Sequence, residues 1–204
     1  MNQRSLVVIS AGLSQPSSTR LLADQLAAAS EKAAGDLGLT TKITFIEPRD
    51  LAVEIAHNFT SGFPGRNLSA ALDAVTGADG LIVVTPVFSA SYSGLFKSFF
   101  DVLDKDALAG KPVLIAATGG TARHSLVLEH ALRPLFAYLH AVVLPTAVFA
   151  ATDDFGADSA DGTLRSRITR ASEELARELE RRDPVTVLDP FALTTNFEDL
   201  LKTM

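Results

Sequence analysis

The sequence predicts a doubly wound α/β domain, five parallel strands in the order 2-1-3-4-5 with helices on both faces of the sheet. Three observations carry this. Apolar runs recur along the chain with amphipathic helical patterns between them. Four of the five runs are continuous, the mark of strands buried on both faces of a parallel sheet. Three loops of unusual chemistry each follow such a run, where an open α/β sheet places its ligand.

The strands are read at Leu6–Ile9, Lys42–Ile46, Leu81–Val84, Val113–Ala117 and Val142–Phe149. Lys42–Ile46 begins by alternating, as an edge strand does. Helical patterns cover Thr19–Ala34, Arg49–His57 and Leu68–Thr76. Ser93–Leu103 places Phe96, Phe99, Phe100 and Leu103 on one face, and Ser125–Leu139 carries a kink at Pro134. Leu164–Arg182 sets an apolar stripe against a charged face whose i,i+3 and i,i+4 pairs need no functional meaning. Asn58–Asn67 and Asp153–Gly162 read as loops, and the second lacks the spacing of a calcium loop. The domain is bounded at residues 1–183. The tail at 184–204 is apolar enough to pack on its own domain or on a partner subunit.

Composition narrows the function. With 18 basic and 24 acidic residues the 204-residue chain carries −6, which argues against a general nucleic-acid binder. It has no cysteine, which excludes disulfides, thiol catalysis and cysteine-held metals. No apolar run approaches 18 residues, and the N-terminus, MNQRS followed by only four strongly apolar residues, is too short for a signal-peptide core, so the chain is read as cytoplasmic. His57, His130 and His140 show no metal-ligand spacing, and no GxSxG elbow is present.

The loop after the first strand, Ser10 to Arg20 (SAGLSQPSSTR), carries hydroxyls at Ser10, Ser14, Ser17, Ser18 and Thr19 and opens a helix. Free amides and the positive end of the helix dipole favour an anion there, and hydroxyls suit a phosphate. A single N-cap would need only one of them. The loop is neither GxxxxGK(S/T) nor GxGxxG. A phosphate held by hydroxyls and amides remains. After the third strand, Pro86, Val87, Phe88, Ser89, Ser91 and Tyr92 offer a surface for a flat ring with nearby hydrogen-bonding groups. After the fourth, Thr118, Gly119, Gly120 and Thr121 let backbone approach a ligand closely. His124 is the nearest titratable group and a weak candidate for a general acid, since a turn cap explains it as well. Arg20 and Arg123 are candidate contacts for the phosphate of a dinucleotide, on charge alone.

At Thr85 to Asp101, TPVFSASYSGLFKSFFD resembles the flavin-binding segment of the NAD(P)H-dependent FMN reductases, a flavodoxin-like family. At Ala117 to Pro134, ATGGTARHSLVLEHALRP is similar to a segment of the alkanesulfonate-linked branch. The first loop resembles the family's G-S-x-R-x-x-S-x-N phosphate loop, with Ser10, Ser17 and Thr19 in its Ser and Asn places. It departs in three ways. Ile9 stands where Gly is usual, the loop is about two residues longer, and its internal Arg is missing, with Arg20 a possible substitute. The resemblance covers about residues 4–150. It implies FMN with its phosphate on Ser10–Thr19, its ring on Pro86–Phe88 and its pyrimidine end near Gly119–Thr121. NADPH or NADH would donate hydride, and no catalytic acid or base is obligatory because the redox chemistry belongs to the cofactor. A flavin-dependent monooxygenase is the implied consumer of reduced flavin. An FMN-containing reductase of quinones, azo compounds or metals would share these motifs. A flavodoxin-like electron carrier is the third reading, although its usual phosphate loop is absent. The aromatic helix and the apolar tail suggest a homo-oligomer.

Overall fold

The computed structural model describes residues 2–155 and 163–185. The 184–204 tail therefore falls almost wholly outside the described residues, as do residues 156–162 of the second loop.

The chain runs β1 (Gln3–Ser10), α1 (Ser18–Asp36), β2 (Thr40–Ile46), α2 (Ala52–Ser61), α3 (Arg66–Thr76), β3 (Gly80–Phe88), β4 (Ser91–Tyr92), α4 (Gly94–Asp101), β5 (Pro112–Gly119), α5 (Arg133–Tyr138), β6 (Val142–Val143), β7 (Val148–Ala151) and α6 (Thr163–Glu180). The sheet order is β2-β1-β3-β5, with β6 and β7 both pairing on the far side of β5. Its pairings are parallel except for the small β3–β4 hairpin. This is the doubly wound order expected, with β2 at the edge.

Alternation within the continuous apolar strands explains the two helical layers. Val7, Ile9, Leu81, Val83, Val113 and Ile115 share one core with Phe96, Phe99, Phe100, Leu132 and Phe136. Leu6, Val8, Ile82, Val84, Leu114 and Ala116 share the other with Leu22, Leu26, Ile168, Leu175 and Leu179 of α1 and α6. The aromatic face of α4 is thus occupied within its own domain: Phe100 lies 4.8 Å from Phe96 and 5.0 Å from Phe136 between ring centroids. It is a core face and does not itself mark an interface.

Three elements differ from expectation. The fifth strand is two short pieces, not one run from Val142 to Phe149, because Pro145 cannot donate to the ladder. Arg133 binds the carbonyls of Leu144 and Pro145 across the gap. The helix expected at Ser125–Leu139 is broken more deeply than a kink. Ala122–His124 form a 3-10 turn and Leu128–Leu132 a π turn that hands over to α5 one residue before Pro134. Between α2 and α3 the loop shrinks to Gly62–Gly65, since Gly62 in the left-handed region (φ 78°) ends α2. Glu54 on α2 then accepts from the Leu68 amide at 2.8 Å, capping α3 from outside, and a Cβ at Gly65 would collide with that carboxylate.

Candidate functional site

The carboxyl ends of β1, β3, β5 and β7 open on one cleft of about 340 Å3. Its first wall is the loop into α1. The Ala11 amide continues the pairing past β1 by donating to the Val84 carbonyl at 2.9 Å. Gly12 then packs against Ser17 so closely that a Cβ there would collide with the Ser17 hydroxyl. Ser17 is the N-cap of α1, its Oγ accepting from the Arg20 amide at 3.2 Å. No acidic residue occupies the first turn of α1. The positive end of the helix therefore faces the cleft uncompensated.

The second wall is the end of β3 and its hairpin. Pro86 lies in register with Thr118, and Val87 and Phe88 pair with Tyr92 and Ser91. Ser89 and Ala90 turn the hairpin with φ of 48° and 66°. Ser93 closes the segment, its amide donating to the buried Thr85 hydroxyl at 3.0 Å and its own hydroxyl capping α4 through Phe96. Phe88, 45% exposed, is left as the aromatic side chain of the cleft. The third wall is the end of β5, where Thr118 reaches across to Thr19.

Of the residues singled out in the sequence, Ser17, Ser18, Thr19, Pro86, Val87, Phe88, Thr118, Gly119 and Gly120 line this cleft together. Ser10, Ser89, Ser91, Tyr92 and Thr121 do not. Ser10 is buried at the end of β1 with its hydroxyl unpartnered. Arg20 lies in a neighbouring cavity and Arg123 and His124 in another. Arg20 is held by Asp24 and Glu47 and stacks over Phe45, 4.2 Å from the ring centroid. The hydrogen bond to Asp24, with Glu47 adding to it against burial, raises its pKa above the ordinary arginine value. It does not line the cleft, which among the described residues carries no charged side chain.

Sequence reasoning missed Thr152 and Arg49. Thr152 follows β7 and lines the cleft, so the rule that ligands gather at strand carboxyl ends would have found it. Arg49 leaves the turn after β2, pairs with Glu47 at 2.6 Å and donates to the Ser14 carbonyl at 3.2 Å. It braces the long loop from outside, and nothing in its own neighbourhood of sequence signals this.

Strand order, helical layers and a cleft outside β1 and β3 define a flavodoxin-like α/β protein. A family model described as NADPH-dependent FMN reductase matches residues 5–156. The chain is 40% identical over 174 residues to an FMN reductase (NADPH) of Pseudomonas aeruginosa, covering 84% of this chain and 90% of that one. It is also 40% identical over 172 residues to the NADH-dependent FMN reductase SfnF of Pseudomonas fluorescens, covering 84% and 89%. Among solved structures, an oxidoreductase from Corynebacterium diphtheriae superposes with a TM-score of 0.86 at 48% identity, over 90% of this chain and all of that one (100%). The chain belongs to the NADPH-dependent FMN reductase family and is an NAD(P)H:FMN oxidoreductase.

Proposed function

We propose that FMN binds in this cleft with its phosphate at the start of α1 and its ring along Pro86–Phe88, and that it leaves after reduction to supply a monooxygenase. The observation that carries the reading is the lining itself. It joins a helix N-terminus with no acidic residue in its first turn and the hydroxyls of Ser14, Ser17, Ser18 and Thr19 to a proline, one aromatic ring and three glycines, with no carboxylate among the described residues of the lining to repel a phosphate. The residues fit the group. Ser17, Ser18 and Thr19 donate to the phosphate, Gly119 and Gly120 admit the pyrimidine end, and Phe88 shields one side. When bound, FMN supplies the redox chemistry, taking hydride from NADPH or NADH. The chain positions the two rings and needs no proton donor of its own, and His124, outside the cleft, is read as a turn residue.

Release of the flavin is supported by a cleft that, among the described residues, has a single aromatic side chain and no charged anchor. The likeness of Ala117–Pro134 to the alkanesulfonate-linked branch supports a monooxygenase as consumer. Reduced nicotinamide pools place the reaction in the cytoplasm, and no described helix is long and apolar enough to cross a membrane. Self-association is supported by the exposed apolar side chains of Val53 and Phe59 on α2 and of Phe63 just after it, 83%, 55% and 76% exposed.

The test titrates apo-protein with FMN and then follows NADPH and NADH oxidation with FMN in excess. Weak binding with fast turnover supports a reductase that releases its flavin. Tight binding with turnover only after a quinone or azo dye is added overturns release in favour of a flavoprotein reductase. Tight binding with poor NAD(P)H oxidation under every condition makes the chain an electron carrier.

A further inference from the structure

A second cavity, of about 350 Å3, adjoins the cleft. The chain passes from one to the other twice. Through the hairpin it runs from Phe88 in the cleft to Ala90 and Ser91 in the cavity. Through the turn after β5 it runs from Gly120 in the cleft to Arg123 and His124 in the cavity. The third basic side chain of the cavity, His130, comes from the π turn.

Arg123, His124 and His130 are all exposed, and among the described residues no carboxylate lines their cavity. Among the described residues, the Arg123 guanidinium and the two imidazoles make no hydrogen bond or ion pair. Glu129, the carboxylate beside His130 in sequence, is held instead by Arg133 at 2.6 and 3.0 Å. A chain carrying −6 thus presents, next to the cleft, a hollow with a guanidinium that has no ion pair, and Glu129 reaches His130 only through charge without a hydrogen bond. Arg20, the other arginine offered for a dinucleotide phosphate, is engaged by Asp24, Glu47 and Phe45. An unpaired guanidinium with imidazoles beside it suits a phosphoryl group, which accepts from all three.

We infer that this cavity receives a phosphoryl group of the reduced dinucleotide, with Arg123 as its principal ligand and the hairpin tip Ser89–Ala90 lying under the connecting part of the molecule. The inference rests on the reading that hydride transfer takes place in the adjoining cleft. Where that group is the 2′-phosphate, the cavity sets the preference between NADPH and NADH.

The experiment uses the full chain, wild type and Arg123→Ala, with 2′,5′-ADP and ADP as titrants in calorimetry, alongside kcat/KM for NADPH and NADH. Loss of one charge-assisted contact weakens binding about tenfold or more. Weakening of 2′,5′-ADP alone, with an equal fall in the NADPH-to-NADH ratio of kcat/KM, assigns the 2′-phosphate to the cavity. Weakening of both titrants with an unchanged ratio assigns the diphosphate. Unchanged affinities, or no binding of either titrant to wild type, overturn the inference. If wild type oxidises neither nucleotide but binds 2′,5′-ADP in an Arg123-dependent way, the cavity stands and the reading of the cleft falls.

Discussion

Thr19 Oγ1 and Thr118 Oγ1 lie 2.8 Å apart, both buried, and join the first turn of α1 to the end of β5 across the base of the cleft. Two walls of the site are therefore fixed to each other by one hydroxyl pair. Replacing either threonine by valine leaves the other hydroxyl buried without a partner, at a cost of about 1–3 kcal/mol. Replacing both removes the unsatisfied group, so the double variant loses less than the sum of the singles. Urea denaturation of the four proteins is expected to give a coupling of about 1 kcal/mol. FMN affinity should fall in the single variants as the walls lose their register. Strict additivity would show that the pair does not tie the walls.

Arg49 is expected to act on the phosphate loop without touching the ligand. Its guanidinium bridges Glu47 and the Ser14 carbonyl, and charged hydrogen bonds of this kind contribute about 1.5–3 kcal/mol. Arg49→Ala should weaken FMN about tenfold while leaving riboflavin, which lacks the phosphate, within twofold. Arg49→Lys should not restore FMN affinity, because one ammonium cannot reproduce the planar bridge. Fluorescence quenching of each flavin checks this, and an equal loss for both would place the effect on the fold and not on the loop.

The β3–β4 hairpin turns on Ser89 and Ala90, both at positive φ, as a two-residue hairpin loop of the primed type requires. A left-handed alanine costs roughly 1 kcal/mol, and glycine removes that cost while adding freedom to the unfolded chain. Ala90→Gly should therefore raise stability by about 0.5 kcal/mol. Thermal denaturation reads it, and a loss of stability would mean that the Ala90 methyl is held by packing that outweighs the backbone strain.

The doubly wound sheet was legible because its evidence is local. Continuous apolar strands, periodic helices and hydroxyl-rich or glycine-rich loops each declare themselves within a few residues. The cleft was legible in outline for the same reason, since topology brings the ends of those strands together. What escaped depends on distant partners. Arg4 sits in the first strand yet is only 3% exposed, because its guanidinium meets the carbonyls of Leu179 and Arg182 at the end of α6. Its neighbours in sequence give no hint of a helix terminus 175 residues away. The Ser10 hydroxyl read as a ligand contact on composition, but its place at the inner end of β1 is set by pairing with β3. The fifth strand failed at Pro145, a signal that was present and outweighed by the apolar residues around it.

At the opposite end of the sheet from the cleft, Lys111 precedes β5 and is 6% exposed, its ammonium donating to the Thr76 carbonyl at 2.9 Å and to the Ala78 carbonyl. Burial pushes its pKa down to about 8 from 10.5, with Asp79 pulling the other way. Below about pH 8 the folded and unfolded chains both hold this proton, and the cost of burying the charge is fully present. Between about pH 8 and 10.5 the unfolded chain keeps a proton that the folded chain has lost, so this residue makes stability rise with pH. Measured as the difference from Lys111→Met by urea denaturation, the wild-type gain between pH 8 and pH 10 should be about 2 kcal/mol. A difference that stays flat over that range would mean that Lys111 titrates as an ordinary exposed lysine. FMN affinity over the same range should be the same in the two proteins, since Lys111 lies on the far edge of β5 from Thr118 and Gly119.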